Sequence, residues 1–210
     1  MKKAILLSLM VLIGFATEAQ TPTVLPEAVQ INMASQVAPE KDREAVTVYG
    51  YDESGKLKLL KKGTNNLICL ADDPNKKGVH ISCYSVKLEP FMARGRELIV
   101  EGKSVPEMRE IRKKEAEEGS LQLPDVPSML YVLDGEEANL NQETGELTNG
   151  FERYVIYTPY ATTESTGLPD APFAPGMPWL MDPGTHRAHI MVTPPRDKKK
   201  NKVDDMGHKH

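Results

Sequence analysis

The sequence predicts an α+β fold in which an antiparallel sheet, made of an N-terminal meander and a set of C-terminal strands, has a helix pair inserted between its two parts. Three observations predict it. Short runs rich in β-branched and aromatic residues crowd residues 45–85 and return after Pro127. The only two long helical patterns lie between those groups. Strands and helices are thus segregated along the chain rather than alternating, which favours antiparallel pairing over a parallel α/β sheet.

Taken in order, the proline-flanked stretch EAVQINMASQVA, residues 27–38, predicts one short helix with Ala28, Ile31 and Ser35 on a common side. Four strand signals follow: AVTVYGY (45–51), KLKLLKK (56–62), LICL (67–70) and VHISCYS (79–85), separated by turn residues at 52–55 and 63–66. Short connections between them predict a meander. Pro90 then suits a first helical turn, Phe91, Met92, Gly95, Leu98 and Ile99 recur at helical spacing, and Gly102 offers a left-handed C-terminal residue. SVPEMREIRKKEAEEGS (104–120) carries a capping box in Ser104 and Glu107 and a stop in Gly119. Its apolar residues, Val105, Met108, Ile111 and Ala116, are few, so this helix is expected to be solvated at the domain edge. Strands return at SMLYVLD (128–134), ERYVIYT (152–158) and RAHIMVT (187–193). Residues 135–150 form a polar surface loop. Residues 161–184 hold five prolines and no period, yet also Leu168, Phe173, Met177, Trp179, Leu180 and Met181; they are expected to form an ordered flap packed on the sheet.

The two ends of the chain bear on its destination. Lys2 and Lys3, the apolar run 4–15 and the Thr17-Glu18-Ala19 cleavage pattern describe a signal peptide over residues 1–19. No later stretch is apolar enough to span a bilayer, and no cysteine follows the run to take a lipid anchor. The expected location is periplasmic or extracellular. The formal charge is −4, and losing two lysines against one glutamate makes the mature chain more acidic still. Nucleic acid is therefore not an expected partner; an unidentified ligand or an envelope protein is. A single domain is expected over residues 20–193, followed by a disordered basic tail, 194–210.

Cys69 and Cys83 are the only cysteines. If LICL and VHISCYS pair as a hairpin with these two opposed, directly facing residues lie roughly 4.5–5.5 Å apart, within reach of a disulfide. His80 lies three residues from Cys83 and so points to the other face, which counts against a joint metal site. Two thiols in an oxidising compartment predict a disulfide, ahead of inert buried thiols or a reactive cysteine.

GTNNLICL, CYS, the charged helix pair, PSMLYVLDG, YTPYATTESTGL and AHIMV, in that order, resemble a group of uncharacterised exported bacterial proteins. The resemblance spans most of the mature domain and implies a single exported domain. It implies no activity and no catalytic residues.

The chain lacks the GxSxG, HExxH, GxxxxGK[ST] and GxGxxG patterns of common hydrolases, metalloproteases and nucleotide-binding proteins. Catalytic residues stay unassigned. A ligand pocket is expected beneath the flap, lined by Tyr157, Tyr160, Trp179, His186, His189 and Met191. Ordinary sheet packing of the tyrosines is the competing account. A nucleophile bonded to His186 or His189 would instead indicate a small exported hydrolase. Met181, His186, His189 and Met191, with His208 and His210 of the tail, are donors of a kind copper(I) accepts, but no repeated spacing marks a dedicated site. Glu136, Glu137, Asn139, Asn141 and Glu143 do not follow an EF-hand spacing. No metal or cofactor is expected, and the leading expectation is a binding or envelope-associated role.

Overall fold

A computed structural model describes residues 23–195. The expected signal peptide, and all of the expected tail but Pro194 and Pro195, lie outside the described residues. Eight strands form one mixed, mostly antiparallel sheet: β1 (Thr47–Tyr51), β2 (Leu57–Lys61), β3 (Leu67–Leu70), β4 (Val79–Ser85), β5 (Ser128–Gly135), β6 (Phe151–Tyr157), β7 (Trp179–Met181) and β8 (His189–Val192). Their spatial order is β2-β1-β3-β4-β5-β6-β8-β7.

The N-terminal strands correct the meander. β1 and β2 pair as a hairpin, but β3 runs parallel to β1, with Val48 against Cys69, so β2 is left at the sheet edge. Gly63 allows the return. Its N–H donates to the Thr47 hydroxyl at 3.1 Å, and the position of a Cβ there would fall 2.2 Å from the Val46 carbonyl carbon. The chain can thus press against the start of β1 and re-enter beside it.

Between β3 and β4 the expected register holds: Ile68 faces Tyr84 and Cys69 faces Cys83, with the disulfide formed. Both cysteines are fully buried. Such a bond fits an oxidising compartment.

Strand alternation sorts the side chains onto two faces. One face carries Val48, Leu67, Cys69, Val79, Ile81, Cys83 and Leu133, which pack with Met33 and Ala34 of helix α1 (Glu27–Ser35) and with Leu147. The helix buries Gln30, Met33, Ala34 and Ser35, while Ala28 is exposed. The expected common side is therefore displaced. Gln30 explains part of the shift: its amide donates to the Leu25 and Tyr51 carbonyls and accepts from the Tyr51 N–H at 2.7 Å, locking α1 to β1.

The other face is covered at one end by helices α2 (Glu89–Val100) and α3 (Val105–Glu117), which lie between β4 and β5 in the chain. Leu88 and Met92 pack on Ile68, Tyr84 and Leu130. The Tyr84 hydroxyl donates to Glu89 at 2.6 Å and accepts from Arg96 at 2.8 Å, so a polar knot ties α2 to β4. On α3 the Ser104 N–H donates to the Glu107 carboxylate at 2.8 Å, closing the capping box, and only Met108 is buried. Arg94 pairs with Glu115 and joins the two helices. Among the described residues no helix is long and apolar enough to cross a membrane.

The expected flap is ordered but differs in kind. It holds a one-turn helix, α4 (Thr163–Thr166), and then β7, which pairs with β8 and extends the sheet. Leu180 is fully buried, whereas Phe173 is 80 % exposed. The segment thus supplies the last strand of the sheet and leaves Phe173 in solvent.

Candidate functional site

Two polar clusters share the face that α2 and α3 partly cover. The first lies at its open end. His80 of β4 faces Asp134 of β5, and Arg153 reaches in from β6. Asp134 holds both neighbours: Oδ1 lies 2.5 Å from His80 Nδ1, and Oδ2 accepts from Arg153 Nε at 3.0 Å. Because the carboxylate accepts, Nδ1 carries the proton and the Nε2 edge of the imidazole is left for other contacts. The His80 side chain is 60 % exposed and that of Asp134 16 %. This cluster lines a groove of about 840 Å³ with Lys77, Glu136, Asn139 and Asn149. The backbone nearby is held from outside the strand: the Gly78 N–H donates to Glu137 at 2.9 Å and the His80 N–H to Asp72 at 2.7 Å.

The second cluster lies where α2 and α3 meet β6 and the loop before β8. It gathers part of the expected pocket. Tyr157 stacks on His189, with ring centres 5.2 Å apart, and touches Phe91 at 5.6 Å. Phe91 also meets the His186 ring at 6.1 Å and carries the Arg112 guanidinium 4.2 Å above its face. Trp179 and Met191 pack beside them with Val132 and Val155, in an apolar layer. Tyr160 is not part of it; it is 48 % exposed with a left-handed backbone, φ 64°.

The two histidines differ. His189 Nδ1 lies 2.7 Å from the Arg187 carbonyl and must donate to it, which fixes the tautomer. Burial pushes its pKa down. His186 is 5 % exposed, and neither ring nitrogen has a hydrogen-bond partner among the described residues. Burial, then the positive charges of Arg112 and Arg187, hold its pKa below the usual value, so it is neutral. No hydroxyl or thiol is hydrogen-bonded to either imidazole among the described residues. Among the described residues no three His, Cys, Asp or Glu side chains converge to hold a metal ion.

Sequence reasoning missed the His80–Asp134–Arg153 cluster. Along the chain His80 relates to Cys83, three residues on, whereas its pairing with Asp134 depends on the β4–β5 register, set across a long helical connection. The available signal was local: each residue interrupts, with a charged or titratable group, a run otherwise suited to a strand. No protein family, curated protein or solved structure matches the chain.

Proposed function

We propose that the protein is an exported, disulfide-stapled binding domain with an envelope-associated role, and that its ligand lies in the groove over β4, β5 and β6. The signal-peptide pattern, the disulfide and the resemblance to exported bacterial proteins support export. The observation that carries the binding reading is the His80–Asp134–Arg153 cluster at the groove wall. Its charges are already paired with one another, so a charged ligand gains little net Coulomb attraction there. What the groove offers instead is a dense set of donors and acceptors on planar side chains, including Asn139, Asn149 and Glu136. Vicinal hydroxyls donate and accept at once, so a neutral glycan of the envelope matches this lining best.

The purified domain is expected to bind neutral polysaccharides in an array of envelope glycans. His80→Ala and Arg153→Ala should each weaken that binding about tenfold, roughly 1.4 kcal/mol, with thermal unfolding little changed. Binding to no glycan, or full affinity in both variants, overturns the reading. The same pair favours a second reading, a hydrolase in which Asp134 orients His80 to activate water. Release of reducing ends from a bound glycan, abolished by His80→Ala, would establish it.

A further inference from the structure

The charge balance at the helix–sheet seam is unlike that of the groove. Arg94, Arg96, Arg153 and Arg187 are each partly buried and each has a carboxylate partner. Arg112 is partly buried too and has none among the described residues. It lies over the Phe91 ring and makes two long donations, at 3.4 Å, to the Met108 and Phe91 carbonyls. A half-buried guanidinium with two weak neutral acceptors, whose neighbouring carboxylate Glu115 is already held by Arg94, is short of negative charge.

Facing the same Phe91 ring is His186, with both nitrogens buried and unpartnered. Thr158 Oγ1 is a second buried orphan, and its segment pairs with the loop that carries His186, the Thr158 N–H donating to the Ala188 carbonyl at 3.0 Å. Buried polar groups of this kind are rarely left unsatisfied without a ligand or a water to complete them. Tyr157, Arg112 and Arg187 are only partly buried, so the seam opens to solvent at its rim.

We propose that this seam is a seat for a small oxyanion, a carboxylate or phosphoryl group, held by the Arg112 guanidinium from α3 and by a ring N–H of His186, over a floor of Phe91 and Tyr157. The arginine fork matches two oxygens of either group. A neutral imidazole offers one donor, so the site needs no protonation to accept an anion. Arg187 stays bound to Asp182 and adds positive charge beside the seat without a free fork. The seat is independent of the glycan groove, lies at the other end of the sheet face and selects for charge where the groove does not.

The test is a titration of the disulfide-bonded domain with inorganic phosphate and, separately, with acetate, followed by NMR of the arginine side chains and histidine rings. Saturable shifts at both Arg112 and His186 are expected. Response to phosphate alone assigns the seat to phosphoryl groups, and response to acetate assigns it to carboxylates. Arg112→Gln should weaken binding tenfold or more, about 1.4 kcal/mol, and Arg112→Lys should restore part of the loss. His186→Leu, which removes both orphan nitrogens, should weaken binding and raise thermal stability, and serves if Arg112→Gln does not fold. If neither probe shifts either residue, the nitrogens hold water alone and the proposal is overturned. Undiminished binding in the folded variants overturns it equally.

Discussion

Replacing Asp72 by Asn should stabilise the protein at neutral pH and make no difference in acid. Asp72 follows β3 and lines a cleft of about 290 Å³ beneath α1, beside Leu25, Met33 and Leu140. Burial, opposed by the hydrogen bond from the His80 N–H and aided by the neighbouring Asp73, raises its carboxyl from 3.8 to about 6. The folded chain therefore holds a proton on Asp72 between those values while the unfolded chain does not. Stability from this group is present below the unfolded value and is lost as pH rises through about 6. The rise from 3.8 to about 6 corresponds to about 3 kcal/mol. Asp72 keeps some contact with water, so about 1–2 kcal/mol is the expected gain. Asn retains the oxygen that accepts from His80 and removes only the charge. Urea unfolding of both proteins at about pH 7.5 should show the gain, and at about pH 3.5 the two curves should coincide. A variant less stable at neutral pH, or an advantage that grows on acidification, would refute the claim that burial dominates this carboxyl.

Reducing Cys69–Cys83 removes the constraint on a loop with a sequence separation of 14 and should cost about 3 kcal/mol in denaturant unfolding, less if the β3–β4 hairpin persists in the unfolded chain. Gly63→Ala should cost 3 kcal/mol or more, about the size of other core backbone clashes, because the added carbon meets the Val46 carbonyl carbon at 2.2 Å and not a movable side chain. Gly119→Ala is the contrast: its φ of 77° is left-handed but nothing lies within 4 Å, so about 1 kcal/mol is expected. Thermal melts of the two glycine variants, run together, separate crowding from backbone strain.

Local chemistry was legible in the sequence wherever neighbours along the chain decide the outcome. Ser104 and Glu107 cap α3, Gly102 and Gly119 adopt left-handed conformations, and the Cys69–Cys83 register follows from a short hairpin. The parallel β1–β3 pair was not legible, because it depends on whether β3 docks beside β1 or β2, a choice made by the tight return at Gly63 and by the buried stripe Val48, Cys69 and Cys83. The buried face of α1 is illegible for a similar reason: Gln30 satisfies a backbone group of a distant strand and is buried despite its polarity. In the site, Tyr157 stacks on His189, and Phe91 lies between Tyr157 and His186. Arg112 and Phe91 join them only because α2 and α3 fold back over β6, and Asp134 meets His80 only through a register that no local pattern encodes.

That partial cover also explains why the groove exists. The helices pack over the Tyr84, Leu130 and Tyr157 end of β4, β5 and β6 and leave the His80, Asp134 and Arg153 end of the same strands uncovered. The pair does not close the face, and α3 brings only Met108 to the core. The uncovered strip must then stay compatible with water, and His80, Asp134 and Arg153 achieve that. Solvation alone would be met by any charged trio at these positions. Binding demands more, because only an imidazole held at Nδ1 by Asp134 presents a fixed Nε2 acceptor to the groove. His80→Lys separates the two roles. It keeps a hydrogen-bond donor against Asp134 and keeps the strip polar, so solubility and unfolding should match the unsubstituted domain. Glycan binding should nonetheless fall as it does in His80→Ala. If His80→Lys binds as tightly as the unsubstituted domain, the cluster serves to keep the sheet wet and the groove reading loses its support.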